Sequence, residues 1–289
     1  MFSPIIIGQV VVNGLSLSSI YILVALGFTL LFGIMRVVNF AHGEFAMLGG
    51  FGLFYLYGQL HLPFFVALPL AALIVAVGGL IFERLVFQWF YQKMFQSMIG
   101  LLGLSIAITF AAVIIWDVHE RSIPPAFAAV WQVGGLFLPV ARLVVFGIAI
   151  VVLIAFYVFI RHTRAGLAMR AVAQDLEIAE AQGINSTRTY QQAFVVAIFM
   201  TALAGGLYGQ IYFLSPFMGE VPLLKAFIVV ILGGMGSIPG AAVGGLILGM
   251  SESFLSTYFG ASVSSFVSFG VVILLLIFRP WGLMGTPES

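Results

Sequence analysis

The stretch LVVFGIAIVVLIAFYVFI, Leu143 to Ile160, holds 18 consecutive residues without Asp, Glu, Lys or Arg and is followed by Arg161. A run of this length matches the roughly 20 apolar residues with which a helix crosses a bilayer. Six further stretches lack these charged residues: Met1 to Met35, Phe45 to Phe82, Met94 to Trp116, Thr189 to Gly219, Ala226 to Ser251 and Ser253 to Phe278. Lipid offers no partners to backbone polar groups, and the runs are too long for barrel strands. The sequence therefore predicts an all-α, polytopic membrane protein.

The composition excludes a soluble protein. The chain is 62% hydrophobic and 7% charged, whereas a soluble domain is about one quarter charged. Zero cysteines exclude disulfides and thiolate metal sites. The start MFSPIIIG lacks a basic region and a cleavage site, so we expect the first apolar run to remain as a helix. We expect one membrane domain, residues 1–289, because the longest polar loop, about 30 residues, cannot hold a soluble domain that hydrolyses nucleotide or captures solute.

About eight membrane segments follow from the apolar runs. We place them at roughly 8–35, 44–60, 63–83, 97–117, 141–161, 190–214, 223–251 and 262–279. One loop, at about 162–188 and directly after Arg161, contains Arg164, Arg170 and Arg188. With Arg161, these are four of the eleven Lys and Arg residues, which predicts that the loop is cytoplasmic. The proline-containing segment from Asp117 to Arg142 is then expected outside.

Two glycine-rich regions, Val37 to Gly58 and Lys225 to Ser251, favour broken or re-entrant helices. A single helix from Pro222 to Ser251 would be about 45 Å long, more than a hydrocarbon core of about 30 Å. The run GGMGSIPG, Gly233 to Gly240, is the expected break, and we predict that it is non-helical and shielded from lipid. Gly240, Gly244, Gly245 and Gly249 would give the following helix a face that another helix approaches closely.

Each glycine-rich region has a neighbouring carboxylate, Glu44 or Glu252, and the two regions occupy comparable places in the two halves of the chain. This arrangement favours an internal repeat. Interrupted segments at matching positions mark the transport site in secondary transporters built from repeats. Our candidate pathway residues are Asn39, His42, Glu44, Gly234, Gly236, Ser237 and Gly240. A helix end offers another reading of Glu44, because an acid in a first turn is favoured by the helix dipole.

The cytoplasmic loop contains LAMRAVAQDLEIAEAQ, Leu167 to Gln182, which consists largely of helix formers between two glycines. We predict one amphipathic surface helix over this range. Its basic residues lie at the N-terminal end and its acids toward the C-terminal end, the reverse of what the helix dipole favours. Two readings remain open, a solvated connector and a docking helix for a cytoplasmic partner.

The stretch RAGLAMRAVAQDLEIAEAQGIN, Arg164 to Asn185, resembles the coupling loop of branched-chain amino acid ABC permeases of the LivH type. Glu177, Ala179 and Gly183 keep the spacing of the Glu-Ala-Ala…Gly motif of importer permeases, although Ile178 replaces its first alanine. Four further blocks resemble the family: GLSLSSIYILVALGFTLLFG at Gly14 to Gly33, VVNFAHGEFAMLG at Val37 to Gly49, KAFIVVILGGMGSIPGAAVGGLILG at Lys225 to Gly249, and FRPWGLMG at Phe278 to Gly285. The five blocks are distributed along the chain from Gly14 to Gly285.

The resemblance implies an alternating-access importer permease of the bacterial inner membrane. Its partners would be a homologous second permease, two cytoplasmic ATPase subunits that bind ATP and Mg, and a periplasmic or extracellular solute-binding protein. Leucine, isoleucine and valine lead as solutes, with urea, short amides and nucleosides as alternatives. Residues expected to couple to the ATPase are Arg164, Gly166, Arg170, Ala171, Gln174, Asp175, Glu177, Ala179 and Gly183.

Other functional classes lack the residues they need. The chain has no Gly-Lys pair and hence no phosphate-binding loop, so we expect ATP hydrolysis on another chain. Gly234-x-Gly236-x-x-Pro239 departs from the dinucleotide fingerprint at its last position, so we expect no cofactor on this chain. The four histidines lack metal-ligand spacing, and no nucleophile stands beside a base. A self-sufficient secondary transporter or channel remains the rival, and it would need paired ionisable residues inside the spans.

Overall fold

The computed structural model describes residues 3–90 and 93–285. Its described part contains eleven α-helices: α1 Pro4–Met35, α2 His42–Leu53, α3 Phe64–Leu85, α4 Met94–Trp116, α5 Val140–His162, α6 Arg164–Gln174, α7 Leu176–Ala181, α8 Ser186–Gly209, α9 Glu220–Gly233, α10 Ile238–Phe259 and α11 Ala261–Phe278. A π-helical turn, Phe54–Gln59, extends α2, and a 3-10 turn, Phe87–Phe90, follows α3. The predicted all-α membrane class is confirmed.

Seven of the described helices are long and apolar enough to cross a membrane: α1, α3, α4, α5, α8, α10 and α11. Six of them match predicted segments, since each lies within a few residues of its expected range. The two central helices, α1 and α8, are mostly buried, whereas α4, α5 and α11 are mostly exposed and form the outer ring. Apolar side chains on that ring suit lipid rather than water.

A two-stranded antiparallel hairpin is the only sheet in the described part of the chain, with strands β1 Val130–Val133 and β2 Leu136–Pro139. Gly134 and Gly135 turn it with φ of 57° and 86°, values that suit glycine in a two-residue hairpin turn. The backbone N–H of Phe137 donates to Gln9 Oε1 at 3.2 Å, which ties the hairpin to the start of α1. We call this end of the bundle the hairpin face.

The opposite end carries α6 and α7, and we call it the coupling face. On this face α1 ends at Arg36, whose φ of 51° closes the helix in a left-handed conformation. The C-terminal segment returns here as well, because Leu283 N and Met284 N donate to the carbonyls of Leu232 and Gly233, each at 2.9 Å. These bonds satisfy carbonyls at the end of α9 that have no partner within the helix.

The expected break within the segment at 223–251 is confirmed, because the chain divides there into α9 and α10. Gly234 and Gly236 adopt φ of 105° and 81°, which side-chain-bearing residues rarely reach. Ser237 then caps α10, since its Oγ accepts from Gly240 N at 3.1 Å. The non-helical part is shorter than the predicted 233–240 and covers only 234–237.

The close face expected on α10 is confirmed. A methyl group on Gly240 would overlap the carbonyl of Gly233, and one on Gly249 would overlap Ser18 of α1. Gly244 faces the carbonyl of Val229 in the same way. Backbones of α9, α10 and α1 therefore meet without intervening side chains, the packing that small residues permit in membranes.

The helix packing supports an internal repeat. α1 packs on α9 and α10, whereas α8 packs on α2 and α3, and α2 contacts α3 as α9 contacts α10. Exchanging α1 with α8, α2 with α9 and α3 with α10 therefore reproduces the same packed pairs. α1 runs from the hairpin face to the coupling face and α8 runs back, so the two halves have opposite directions.

The short helices α2 and α9 begin beside each other inside the bundle and run to opposite faces. A methyl group on Gly43 would overlap the carbonyl oxygen of Gly219, so the two helix starts touch through their backbones. From this point α2 runs toward the hairpin face, where Phe54 lies under the guanidinium of Arg121. α9 runs to the coupling face. Both are interrupted segments, and they correspond under the exchange of halves.

Candidate functional site

The candidate coupling surface begins at a tight corner between α5 and α6. The Thr163 hydroxyl donates to Phe159 O at 2.7 Å and accepts from Gly166 N at 3.0 Å, so it closes one helix and caps the next. A methyl group on Gly166 would overlap the carbonyls of Phe159 and Ile160. Gly166 is therefore required where α6 turns back against α5.

The predicted single helix over Leu167–Gln182 is wrong, because Asp175 divides it into α6 and α7. Asp175 adopts φ −155° and ψ 113°, and its Oδ1 accepts from Ile178 N at 2.9 Å. An aspartate that caps a new helix offers the backbone a local alternative to continuing the first one. Asp175 therefore has a structural role within the surface in addition to its predicted coupling role.

The surface is anchored on one side and exposed on the other. Met169, Val172 and Ala179 are buried, which fixes α6 and α7 against the bundle. Leu167 and Ile178 are 59% and 61% exposed. The predicted coupling residues that are exposed are Arg164, Arg170, Gln174, Asp175, Glu177 and Gly183. Apolar side chains left exposed among charges form a surface that suits a protein partner.

Gly183 ends α7 with φ of 83°, and its N–H donates to Glu180 O at 2.9 Å. A side chain there would meet open space, so the glycine is required by conformation and not by crowding. Glu180 Oε1 accepts from the Ser186 hydroxyl at 2.5 Å, which links α7 to the start of α8. The short helix is thus held at both ends.

A cavity of about 780 Å³ separates the end of α1, residues 34–37, from α6 and α7. Asp175, Glu177 and Glu180 line it, with Arg36 on the opposite wall. Two predicted coupling residues lie on α6 away from this cavity. Arg164 is at the start of the helix, and Ala171 is half-buried in its middle. The loop therefore forms one continuous patch on the coupling face.

The first group of candidate pathway residues lies buried at the start of α2. His42 Nε2 is 3.0 Å from Val24 O and 2.8 Å from Thr201 Oγ1, which joins α1, α2 and α8 at one point. Because a carbonyl oxygen only accepts, Nε2 carries the ring proton. Asn39 Oδ1 accepts from Ala41 N at 3.0 Å and shapes the approach to α2. Glu44 is a first-turn acid, as one reading expected, and it is also buried.

The second group lies elsewhere. Gly234, Gly236, Ser237 and Gly240 form the break between α9 and α10 on the coupling face, where Gly236 approaches Gly33 near the end of α1. The structure therefore does not bring the two groups into one site. Both groups contact α1, the first through Val24 and the second through Gly33, so a route past both would follow this helix.

Two polar clusters were not foreseen in the sequence. Lys225 Nζ of α9 lies 2.9 Å from the Glu252 carboxylate of α10, a buried ion pair. A lysine in an apolar glycine-rich segment needs a counter-charge, and this signal indicates a buried partner without identifying it. Near the hairpin face, Arg142 Nη1 of α5 donates to Asn13 Oδ1 of α1. No spacing rule connects two residues so far apart along the chain.

Comparisons with known proteins identify the family. A sequence profile described as branched-chain amino acid transport system / permease component matches residues 10–276. The high-affinity branched-chain amino acid transport system permease protein LivH of Salmonella typhimurium is 34% identical, over 97% of this chain and 96% of its own. BraD of Pseudomonas aeruginosa, described by the same words, is 34% identical over the same shares. A probable branched-chain amino acid transport permease, LivH of Methanocaldococcus jannaschii, is 27% identical over 93% of this chain and 89% of its own.

These matches span the coupling surface, the buried helix starts and the break between α9 and α10. With seven membrane-length helices, they identify a multi-pass protein of the inner membrane. The chain belongs to the family of branched-chain amino acid transport permease components.

Proposed function

We propose that this chain is the membrane-spanning subunit of an ATP-driven importer for leucine, isoleucine and valine. The observation that carries the solute class is the near-full-length similarity, at 34% identity, to permeases whose names specify branched-chain amino acid transport. The chain itself performs no covalent chemistry in this proposal. It supplies the route, which opens alternately to the two sides of the membrane.

The energy comes from partner chains. A homologous second permease completes the membrane part, two cytoplasmic ATPase subunits bind ATP and Mg, and a soluble binding protein delivers the solute outside. The exposed patch of α6 and α7 supports the ATPase contact, because it is anchored to α1 and α8 and would transmit a push into the bundle. Rigid helices packed against the bundle can carry such movements.

Ile178 and Glu177 are the residues we assign to the centre of the ATPase contact. Ile178 is 61% exposed although it is apolar, and Glu177 stands beside it in the first turn of α7. A partner that covers Ile178 would gain the free energy of removing an apolar side chain from water, about 1.5–3 kcal/mol for a full side chain. Glu177 would meet a cationic group on the partner.

One observation favours the rival, a secondary transporter that needs no ATPase. The buried pair of Lys225 and Glu252 is the kind of ionisable group that carries a coupling ion or proton in such proteins. The pair is closed in this structure, since its two charges neutralise each other at 2.9 Å. Because the family relatives are components of multi-subunit transport systems, we assign the pair a structural role.

Uptake into vesicles that contain the full assembly tests the proposal. Labelled leucine, isoleucine and valine should accumulate only when ATP is present, and omission of the ATPase subunits should abolish uptake. Labelled urea, a short amide and a nucleoside serve as the competing solutes. Uptake that needs an ion gradient and no ATPase would establish the rival, and uptake of urea or nucleoside alone would reassign the solute.

Cross-linking tests the assigned contact separately. The chain has no native cysteine, so Ile178→Cys introduces a single thiol on α7. It should cross-link to the ATPase, whereas Arg84→Cys, which is exposed at the end of α3, serves as a control outside the patch. Equal cross-linking from both positions would contradict docking at α6 and α7.

A further inference from the structure

A small polar cavity opens near the hairpin face, between α1, α5, α10 and the segment that follows α8. Its volume is about 140 Å³. Pockets for drug-sized ligands measure about 300–1,000 Å³, so this one admits only a small solute. Polar side chains dominate its wall, although the surrounding helices are apolar. The residues that carry the inference are Asn13, Ser16, Arg142, Tyr212, Ser253 and Ser256, and Thr257 lines the same wall.

Arg142 gives the cavity a positive charge. It is the third residue of α5, where the positive end of the helix dipole disfavours a cation, and α5 has no acid in its first turn. Among residues 3–90 and 93–285, no carboxylate lies within 4 Å of its guanidinium. The guanidinium has five N–H donors, and one side-chain partner, Asn13 Oδ1, is present. Helix stability therefore does not explain the position of Arg142, whereas an anion in the cavity would.

The hydroxyl groups of the wall offer hydrogen-bond acceptors, whereas Arg142 offers donors. Ser16 Oγ donates to Arg142 O at 3.2 Å, Ser253 Oγ donates to Val10 O at 2.7 Å, and Ser256 Oγ donates to Ser253 O at 3.2 Å. Each hydroxyl has one proton and two lone pairs. Because the protons are used by backbone carbonyls, these oxygens can offer only lone pairs to a molecule in the cavity. They suit an ammonium group.

Tyr212 is an aromatic residue of the cavity wall. It lines the cavity and is near enough to both Arg142 and Glu252 to feel their charges. Its ring stacks on Tyr208 with centroids 4.5 Å apart, which fixes its orientation. Leu17 and Ile211 complete the wall with apolar surface. The cavity thus combines a cation, acceptor oxygens and an apolar patch.

We propose that this cavity is a binding site for a zwitterionic amino acid, with Arg142 pairing the solute carboxylate and the hydroxyl oxygens accepting from its ammonium group. Leu17 and Ile211 contact the aliphatic side chain. The site lies on the face opposite the coupling surface, where a solute would arrive from a binding protein. This inference rests on the proposed amino-acid transport for the identity of the solute, but not for the sign of the charge that the cavity attracts.

Thiol labelling of the complete assembly in vesicles tests both the charge that the cavity attracts and the binding of an amino acid. Thr257→Cys places one thiol on the wall, and Val133→Cys, exposed on the hairpin, is the matched control. The rates of reaction with sulfonatoethyl and trimethylammonioethyl methanethiosulfonate are compared. A cleft of one sign raises the local concentration of its counter-ion, so the anionic reagent should be favoured at Thr257→Cys at least about tenfold over its preference at Val133→Cys.

Arg142 variants show whether the preference comes from this residue. Arg142→Gln should abolish the preference, and Arg142→Lys, which keeps the charge, should retain it. Millimolar leucine should slow labelling at Thr257→Cys, and leucinol, which lacks the carboxylate, should not. Arg142→Gln should also remove this protection. Equal rates for the two reagents, or an unchanged preference in Arg142→Gln, would overturn the proposal.

The remaining outcomes separate this site from the proposed function. Protection by another zwitterionic amino acid but not by leucine would support the site and contradict only the proposed solute. An anion preference without protection by any amino acid would overturn the site, whatever the assembly transports. Should Arg142→Gln fail to assemble, Arg142→Lys and the leucinol comparison still decide the result.

Discussion

Lys225 Nζ lies 2.9 Å from Glu252 Oε2 and joins the short helix α9 to α10 across the break between them. The side chains are 7% and 16% exposed, so the pair is shielded from both water and lipid. The ammonium group also lies 5.9 Å from the ring centroid of Tyr21, which brings α1 into the same contact. The pair therefore connects three helices at a point where α9 and α10 could otherwise separate.

The first prediction concerns this pair. Lys225→Met or Glu252→Met should each lower the free energy of unfolding by about 3–5 kcal/mol, because one uncompensated charge stays buried. The double variant should lose much less, since two apolar side chains of similar size can replace a buried pair at little cost. Thermal unfolding in detergent gives the comparison. Equal stability of the single and double variants would contradict the pairing.

The second prediction separates crowding from conformation in the break. Gly240→Ala should destabilise assembly strongly, because the added methyl overlaps the carbonyl of Gly233. At Gly236 the nearest atom to such a methyl is Gly33 Cα at 3.6 Å, so crowding is absent there. Its φ of 81° sets the requirement instead, and we expect Gly236→Asn to cost less than Gly236→Leu, by about 1 kcal/mol.

Gly270→Ala provides the control for these variants. Gly270 is helical and a methyl group there would meet nothing within 4 Å, so its replacement should be neutral or slightly stabilising. The yield of folded protein and its thermal midpoint in detergent are measured for all four variants. A loss at Gly270→Ala as large as that at Gly240→Ala would refute the close backbone contact.

The third prediction concerns coupling. Glu177→Trp changes an exposed residue of α7, so the chain should insert and fold normally while the ATPase contact is lost. Uptake should fall at least about tenfold, equivalent to 1.4 kcal/mol of coupling free energy, while ATP hydrolysis continues. Glu120→Trp, an exposed acid on the hairpin side, is the matched control and should transport normally. Normal uptake by Glu177→Trp would count against docking at this residue.

Gly183 extends the same test. Gly183→Leu forces a side chain onto a φ of 83° but meets no neighbouring atom, so it distorts the end of α7 and leaves the bundle intact. We expect uncoupled ATP hydrolysis in this variant as well. If Gly183→Leu and Glu177→Trp both transported solute normally, the patch would be a solvated connector, the other reading of the loop.

The apolar runs predicted the long helices well because membrane length and hydropathy are local properties of the sequence. The break at Gly234 and Gly236 was also predictable, since glycine clusters permit left-handed backbone. The division at Asp175 was missed although aspartate is a strong N-cap, because the flanking residues are good helix formers and dominated the pattern. The sequence alone does not decide whether the capping tendency of Asp175 or the helix propensity of its neighbours prevails, because the outcome depends on tertiary contacts.

The polar contacts between distant segments could not be predicted. Lys225 and Glu252 are 27 residues apart, and their contact depends on how α10 turns back along α9. Arg142 and Asn13 are 129 residues apart and meet only because α5 packs on α1. Charges buried in membranes demand partners, but the sequence does not say which partner the fold supplies.

The last prediction concerns the translocation route. Beyond the cavity at Arg142, an aliphatic zwitterion needs a route that it can leave easily, and small residues with backbone dipoles suit that part of the route better than a second charged pocket. Gly236 is exposed on the coupling face and Ser237 is half-buried, whereas Asn39 and His42 are 2% and 0% exposed. The route is therefore accessible from the coupling face at Gly236 and Ser237, and it is closed to water at Asn39 and His42.

Single cysteines at these four positions test the route in a chain that has no cysteine of its own. Gly236→Cys and Ser237→Cys should react with small water-soluble thiol reagents in the resting assembly. Asn39→Cys and His42→Cys should react only when ATP and the binding protein drive the cycle, because α2 must then move away from α1 and α8. A cysteine at Ala197, which is buried beside Thr201 in the same cluster, controls for general loosening and should stay protected. Protection of all four positions in every state would mean that solute passes elsewhere, and both glycine-rich regions would then serve helix packing alone.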